Sequence, residues 1–318
     1  MENLLDPAVL CFVLGLAAGL ARSDLSLPRA LYETLSVYLL LAIGLKGGVE
    51  LARSAPGEIL LPLLGALALG VSVPLVAYFV LRKIGRMKRP DSAAIAAHYG
   101  SVSAVTFAIV LEYLRQAGTP FEDYSAVLLV VLEIPAIGVG ILLAKRGAAG
   151  PAAGWRSIAR ELFLGKSVFL LLGGLMIGVL ARPETIGTVK PLFFDLFKGA
   201  LALFLLEMGL VASRRLAEVR TVGPFLLGFG ILMPILSAAM GIAVSLGVGL
   251  SPGGTTVLAT LAASASYIAA PAAMRIAVPE ANPALYLTAS LGITFPFNVI
   301  LGIPLYDWAS RLAHQIGG

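Results

Sequence analysis

Apolar residues along this chain gather into ten long runs, separated by short stretches that hold most of the charge. The runs span roughly Leu4–Ala21, Leu31–Leu45, Ile59–Leu81, Ser92–Leu114, Ser125–Ala144, Ser167–Ala181, Leu192–Val211, Val222–Leu246, Gly253–Ile276 and Ala284–Tyr306. A helix needs about 20 predominantly apolar residues to cross a bilayer core, so each run predicts a transmembrane helix. The second and sixth runs are the shortest and need flanking residues to reach across. No ten-residue alternation of apolar and polar positions points to a β-barrel. The pattern predicts an all-α polytopic membrane protein of ten transmembrane helices.

Within that pattern, landmarks recur. Gly19-Leu20-Ala21-Arg22 is echoed by Gly178-Val179-Leu180-Ala181-Arg182, and Ile43-Gly44-Leu45 by Met208-Gly209-Leu210. Ser101 and Ser103 match Ser264 and Ser266, and Pro135 matches Pro296; the four offsets are 159, 165, 163 and 161 residues. Each half then holds five spans. Five is odd, so the halves enter the membrane in opposite directions, an inverted repeat of the kind many secondary transporters use. The predicted division is residues 1–146 for the first repeat, 147–165 for a cytoplasmic linker and 166–318 for the second repeat. The linker contains Gly147-Ala148-Ala149-Gly150-Pro151, a turn-rich stretch.

Composition agrees with the pattern. Hydrophobic residues make up 58% of the chain and charged residues 13%, with mean hydropathy +0.94; a soluble domain carries about a quarter charged residues. The net charge of +5 does not point to nucleic acid, because the basic residues lie at the ends of apolar runs. They set topology instead. Sixteen Lys and Arg residues fall in the loops after odd-numbered spans and six on the opposite side. The richer side is expected to be cytoplasmic, which puts both termini outside, in a bacterial inner membrane. The block Arg82–Pro90 belongs to this signal and suits anionic head groups. Met1-Glu2-Asn3 lacks the basic start of a secretion signal, so the first run is expected to be retained. Cys11 is the one cysteine, so no disulfide forms within the chain.

No nucleotide loop, dinucleotide fingerprint or Cys/His cluster is present, and His98 and His314 are the two histidines. An enzyme is not expected. Two small, hydroxyl-rich runs stand out instead, His98–Thr106 and Ala262–Pro271. Gly100 and Pro271 can each interrupt a helix, and matched interruptions in two halves point to a transporter's binding site. A broken span exposes a half-helix N-terminus that attracts an anion. Gly100, Ser101, Ser103 and Thr106 on one side, and Ser264, Ala265, Ser266 and Tyr267 on the other, are the candidate substrate-binding residues. The competing reading is that small residues merely let helices pack closely. Glu133 lies mid-span before Ile134-Pro135, where a freed carbonyl suits sodium or proton coupling; with Ser103 and Ser266 it makes a candidate sodium site. The competing reading is a buried, protonated glutamate. Glu207 is a weaker candidate, with Lys198 its expected partner across helices. Glu112 and Lys46 are expected to snorkel at span ends, and Asn298 reads as ligand or packing residue alike.

Gly44-Leu45-Lys46-Gly47-Gly48, Tyr99–Thr106, Glu133-Ile134-Pro135-Ala136, Ser213-Arg214, Ala262–Pro271 and Pro279–Pro283 resemble the sodium-dependent bicarbonate transporters of the SbtA type, in order over nearly the whole chain. The chain looks like a divergent member. The family pattern has other residues where Val105, Glu133, Ala265, Tyr267, Ala269 and Ala270 stand. The resemblance implies a mobile core domain carrying broken helices 4 and 9, and a second domain that fixes a homotrimer. It also implies a bicarbonate site between the serine-bearing spans with sodium nearby, and a PII-like cytoplasmic regulator. The expected function is import of a small anion, bicarbonate first, by sodium symport with alternating access. Two alternatives stay open: a cation/proton antiporter using Glu133, and a transport-inactive anion sensor or scaffold. No cofactor is expected besides sodium as coupling ion.

Overall fold

A computed structural model describes residues 6–146, 160 and 163–317, and among these every regular element is a helix. In chain order they are α1 (Pro7–Leu20), α2 (Arg29–Leu51), α3 (Pro56–Lys83), α4 (Arg89–Gly100), α5 (Ala104–Gln116), α6 (Ser125–Lys145), α7 (Lys166–Leu180), α8 (Pro183–Lys190), α9 (Phe197–Gly247), α10 (Pro252–Ala263) and α11 (Ala269–Ala277). A last run holds α12 (Pro283–Leu287), α13 (Phe295–Phe297) and α14 (Ile303–Gly317), joined through two π-helical segments. Seven helical stretches among the described residues are long and apolar enough to cross a membrane. These are α2, α3, α4 with α5, α6, Glu184–Leu216, Gly223–Gly247 and Pro283–Ile316. Two more apolar helices, α1 and α7, are shorter. Most of the expected linker, 147–159 and 161–162, lies outside the described residues.

Local chemistry sets several boundaries. The Asp6 carboxylate accepts the Ala8 N–H at 2.8 Å and caps α1. The sequence predicts a loop between Val211 and Val222, yet α9 runs on until Gly223, which takes φ 83°. Pro224 follows, and the pair ends the first limb of α9 where a side chain would oppose the turn.

Two close-packed seams explain the repeated glycines. Gly15 and Gly19 of α1 face Gly209 and Ser213 of α9, where a Cβ at Gly209 would stand 2.6 Å from the Leu16 nitrogen. Gly44 and Gly48 of α2 face Gly174 and Gly178 of α7, where a Cβ at Gly48 would stand 2.8 Å from the Gly178 Cα. Such small-residue seams let helix backbones approach without side chains between them. Tyr32 stacks on Phe204 at 5.3 Å and ties α2 to α9. Thus α1, α2, α7 and the first limb of α9 form one body. The second is built on α3–α6, the second limb of α9 and α10 onward: Gly100 is wedged between Pro74 of α3 and Ala136 of α6, and Gly241 lies on Ala259 of α10.

At one end of the molecule, turns and chain ends meet. Gln116 donates to Asp6 at 2.6 Å, Arg311 to Thr119 at 2.7 Å, and the Ser251 N–H to Glu122 at 2.6 Å. Thr255 and His314 lie 2.9 Å apart there as well. We call this the terminus side, and the opposite end, where α6 stops and α7 begins, the linker side.

Candidate functional site

Both hydroxyl-rich runs interrupt their helices. α4 and α10 are each 12 residues long, and each ends on a serine in extended conformation: Ser101 at φ −85°, ψ 160° and Ser264 at φ −80°, ψ 165°. α5 then starts at Ala104, whereas α11 starts only at Ala269. Pro271 is not the break itself. It sits in the first turn of α11, where a missing N–H removes no helical bond.

The two interruptions cross and bond to one another. The Ser103 N–H donates to Ser264 Oγ at 3.0 Å, and the Ser266 N–H donates to the His98 carbonyl at 2.8 Å. Ser103 Oγ accepts the Thr106 N–H at 3.2 Å and so caps α5, while Ser266 Oγ accepts the Ala270 N–H at 3.2 Å and caps α11. Two half-helix N-termini and two C-termini therefore converge on one buried spot, offering positive ends to an anion and negative ends to a cation.

The hydroxyls divide into two kinds. Ser264 Oγ donates its hydrogen to the Leu261 carbonyl at 2.8 Å while accepting from Ser103, so it holds the crossing together. Ser103 and Ser266 accept from the backbone, which leaves each hydroxyl a hydrogen to donate, and the Tyr267 hydroxyl lies within reach of Ser103. Ser101 Oγ is buried with no hydrogen-bond partner among the described residues. Gly100 brings α4 against α3 and α6, where any side chain would collide with Pro74. Ala265 is buried, and the Tyr267 ring meets Phe295 edge-on at 5.2 Å. Thr106 is buried in the first turn of α5.

Around the crossing, aromatic residues are packed rather than free. His98 bonds the Ala94 carbonyl at 2.6 Å and stacks on Tyr286 at 4.4 Å. Tyr99 donates to Thr294 Oγ1 at 2.6 Å, and Thr294 passes its own hydrogen to the Gly230 carbonyl at 2.7 Å. Asn298 donates to the Ala263 carbonyl at 3.0 Å and accepts from Tyr306 at 2.8 Å. It caps the end of α10, which is the packing role.

Glu133 stands apart from the serine crossing. It is 2% exposed, its Oε1 accepts from Ser167 Oγ of α7 at 3.2 Å, and its Oε2 has no partner among the described residues. No hydrogen bond joins it to Ser103 or Ser266, so the three residues expected to share sodium are not gathered by direct bonds. Ser167 was missed by sequence reasoning. Its signal was its place at the first position of the sixth run, which tells nothing about which helix it faces. Ser167 also lines a cavity of about 210 Å³ on the linker side, between α6, α7 and α11, with Ile137, Ile268 and Ala273 among the other walls. The expected Lys198–Glu207 pair is corrected: Lys198 reaches Glu112 at 2.9 Å and Asp6 at 3.2 Å, and Glu207 Oε2 is unpartnered among the described residues. Lys46 lies over the Phe197 ring at 3.8 Å.

A family model described as the Na+-dependent bicarbonate transporter superfamily matches residues 7–311. The chain belongs to that superfamily. Membership supports a multi-pass membrane transport protein with a small anion as its substrate. The match spans both serine runs, Glu133 and Ser167. No curated protein matches the chain.

Proposed function

We propose that the protein imports a small anion, bicarbonate first, by sodium symport, with the anion held at the crossing of the two serine runs. The observation that carries this reading is the mutual bonding of Ser103 with Ser264 and of Ser266 with His98, which joins two half-helix N-termini in one buried spot. Ser101, Ser103 and Ser266 supply hydroxyl donors, Thr106 adds another, and Gly100 and Ala265 keep bulk away. Tyr267 forms the wall, and Ser264 positions the loop. Among backbone groups, the N–H groups of Ala104 and Val105 sit in the first turn of α5, where no helical carbonyl is available to them.

Ten crossings in two inverted five-helix repeats, 1–146 and 166–318 around the linker 147–165, accord with this reading. Beyond the seven long spans, α1, α7 and the interrupted pair α10–α11 complete the set. Packing repeats as well: α1 lies on α9 as α7 lies on α2, and α3 meets α4 as the second limb of α9 meets α10. An inverted repeat requires that correspondence. Alternating access would be motion of the serine-bearing body against the other, whose shared seam holds the cavities between α5 and α2 and between α11 and α7. By the positive-inside rule the linker side is cytoplasmic and the termini are outside, in a bacterial inner membrane. A homotrimer and a PII-like regulator at the cytoplasmic face follow from the family resemblance alone.

Labelled bicarbonate uptake into proteoliposomes is expected to rise with an inward sodium gradient. No uptake of bicarbonate or other small anions by folded protein would overturn the reading.

A second reading, cation/proton exchange at Glu133, is favoured by the bond of that carboxylate to Ser167 and not to the serine runs. Under either reading Glu133 serves the cation. Glu133→Gln is expected to remove the dependence of transport on the cation gradient. Ser167→Ala, which removes one hydrogen bond to a carboxylate (about 1.5–3 kcal/mol), is expected to raise the KM for the cation by roughly tenfold or more. An unchanged cation dependence in both variants would take Glu133 out of the coupling site.

A further inference from the structure

Inverted symmetry relates two places on the seam between the bodies, and the structure treats them differently. On the linker side, Ser167 and Val168 of α7 face Ala272 and Ala273 of α11 across the cavity of about 210 Å³. The repeat offsets of 159 and 163 carry these residues onto Ala8 and Val9 of α1 and onto Ile109 and Val110 of α5. Ala8, Val9 and Ile109 do line the corresponding place on the terminus side, yet the space there is only about 10 Å³, room for about one water. One vestibule is roomy, with Ala272 on its wall exposed, and its mirror partner is filled.

The shut side is tied by charge. Lys198 of α9 reaches Glu112 of α5 at 2.9 Å and Asp6 at 3.2 Å. Gln116 of α5 donates to Asp6 at 2.6 Å and to Glu112 at 3.0 Å. Asp6 and Lys198 belong to the first body, Glu112 and Gln116 to the second, so the cluster closes across the seam. One turn of α5 adds a further tie, with Arg115 pairing with Glu50 of α2 at 3.4 Å. The Asp6 side chain is 6% exposed, and a carboxylate that buried holds its counter-charge firmly because separating the pair leaves it uncompensated.

We infer that Lys198, Glu112, Asp6 and Gln116 form a gate that locks the terminus-side vestibule while the linker-side vestibule is open. The gate rests on the proposed transport reading for its purpose, but not for its detection. Opening it would let α5 leave α1 and α9, expose Ile109, and close Ala272 against α7.

Thiol labelling in a Cys11→Ser background reads both vestibules directly, using a membrane-impermeant maleimide applied to one side at a time. With the gate intact, Ala272→Cys, on the exposed wall of the linker-side cavity, is expected to react at least about tenfold faster than its mirror partner Ile109→Cys, which is buried. Adding Lys198→Met should reverse the preference, speeding Ile109→Cys and slowing Ala272→Cys by roughly tenfold each, the signature of a population shift. Glu112→Gln, which keeps the shape of the side chain, should give the same shift in a smaller degree, and Lys198→Arg should restore the parent pattern. Unchanged labelling at both positions in folded Lys198→Met and Glu112→Gln proteins would overturn the gate, as would fast labelling of Ile109→Cys in the parent. Uptake measured on the same vesicles separates the two ideas: a labelling shift without any anion uptake keeps the gate and removes the transport reading.

Discussion

Replacing Ser103 and Ser266 together by alanine is expected to abolish anion uptake while leaving a folded protein. The two hydroxyls accept from Thr106 and Ala270, and under the proposed reading each would donate its hydrogen to the anion. A hydrogen bond to a charged group contributes about 1.5–3 kcal/mol, so losing two donors lowers anion affinity by at least about 100-fold. The structural loss is smaller. Each substitution removes a helix cap worth about 1 kcal/mol, whereas the bonds between the loops run through the backbone N–H groups of residues 103 and 266 and survive the change. The contrasting variant is Ser264→Ala, which deletes the acceptor of the Ser103 N–H and should loosen the crossing itself. Uptake assays beside a thermal melt distinguish the outcomes. Full uptake in the double variant would remove these serines from the site.

The second large effect concerns two adjacent glycines of α7. Gly174→Leu is expected to prevent recovery of folded protein, and Gly173→Leu to be tolerated. A Cβ at Gly174 would stand 2.7 Å from the Leu41 carbonyl oxygen and 3.1 Å from the Gly44 Cα, while a Cβ at Gly173 meets nothing within 4 Å. Overpacking a tight interior costs about 1–3 kcal/mol or more, and here the obstacle is backbone, which cannot rotate away. Both changes alter helix propensity alike, so the comparison isolates the α2–α7 seam. Size-exclusion profiles and melting temperatures in detergent read the result. Equal stability of the two variants would show that α2 and α7 are not packed through Gly44 and Gly174.

Much of this was legible in the sequence because spacing survives folding. Gly19 with Gly178 and Gly44 with Gly209 stood out as recurring landmarks, and they prove to be the contact faces of α1, α9, α2 and α7. The two serine runs could be found because polar atoms in an apolar run need partners. What stayed hidden was pairing across helices. Lys198 is nine residues from Glu207, but its nitrogen turns to Asp6 and Glu112, since the partner depends on which face of α9 meets which neighbour. Ser167 was invisible as the partner of Glu133 for the same reason. The continuation of α9 to Gly223 was hidden too, because the charged stretch Arg214–Arg220 reads as a loop while nothing in it breaks a helix.

The crossing of the two interrupted segments carries a last consequence. Each loop satisfies a backbone donor with an acceptor from the other half of the chain: Ser103 with Ser264, and Ser266 with His98. Neither interruption is complete alone, since each would leave a buried amide hydrogen without an acceptor. The crossing is thus a knot tied by both halves of the chain. Under the proposed reading it would move as one piece, and whatever it grips would be carried, not handed over.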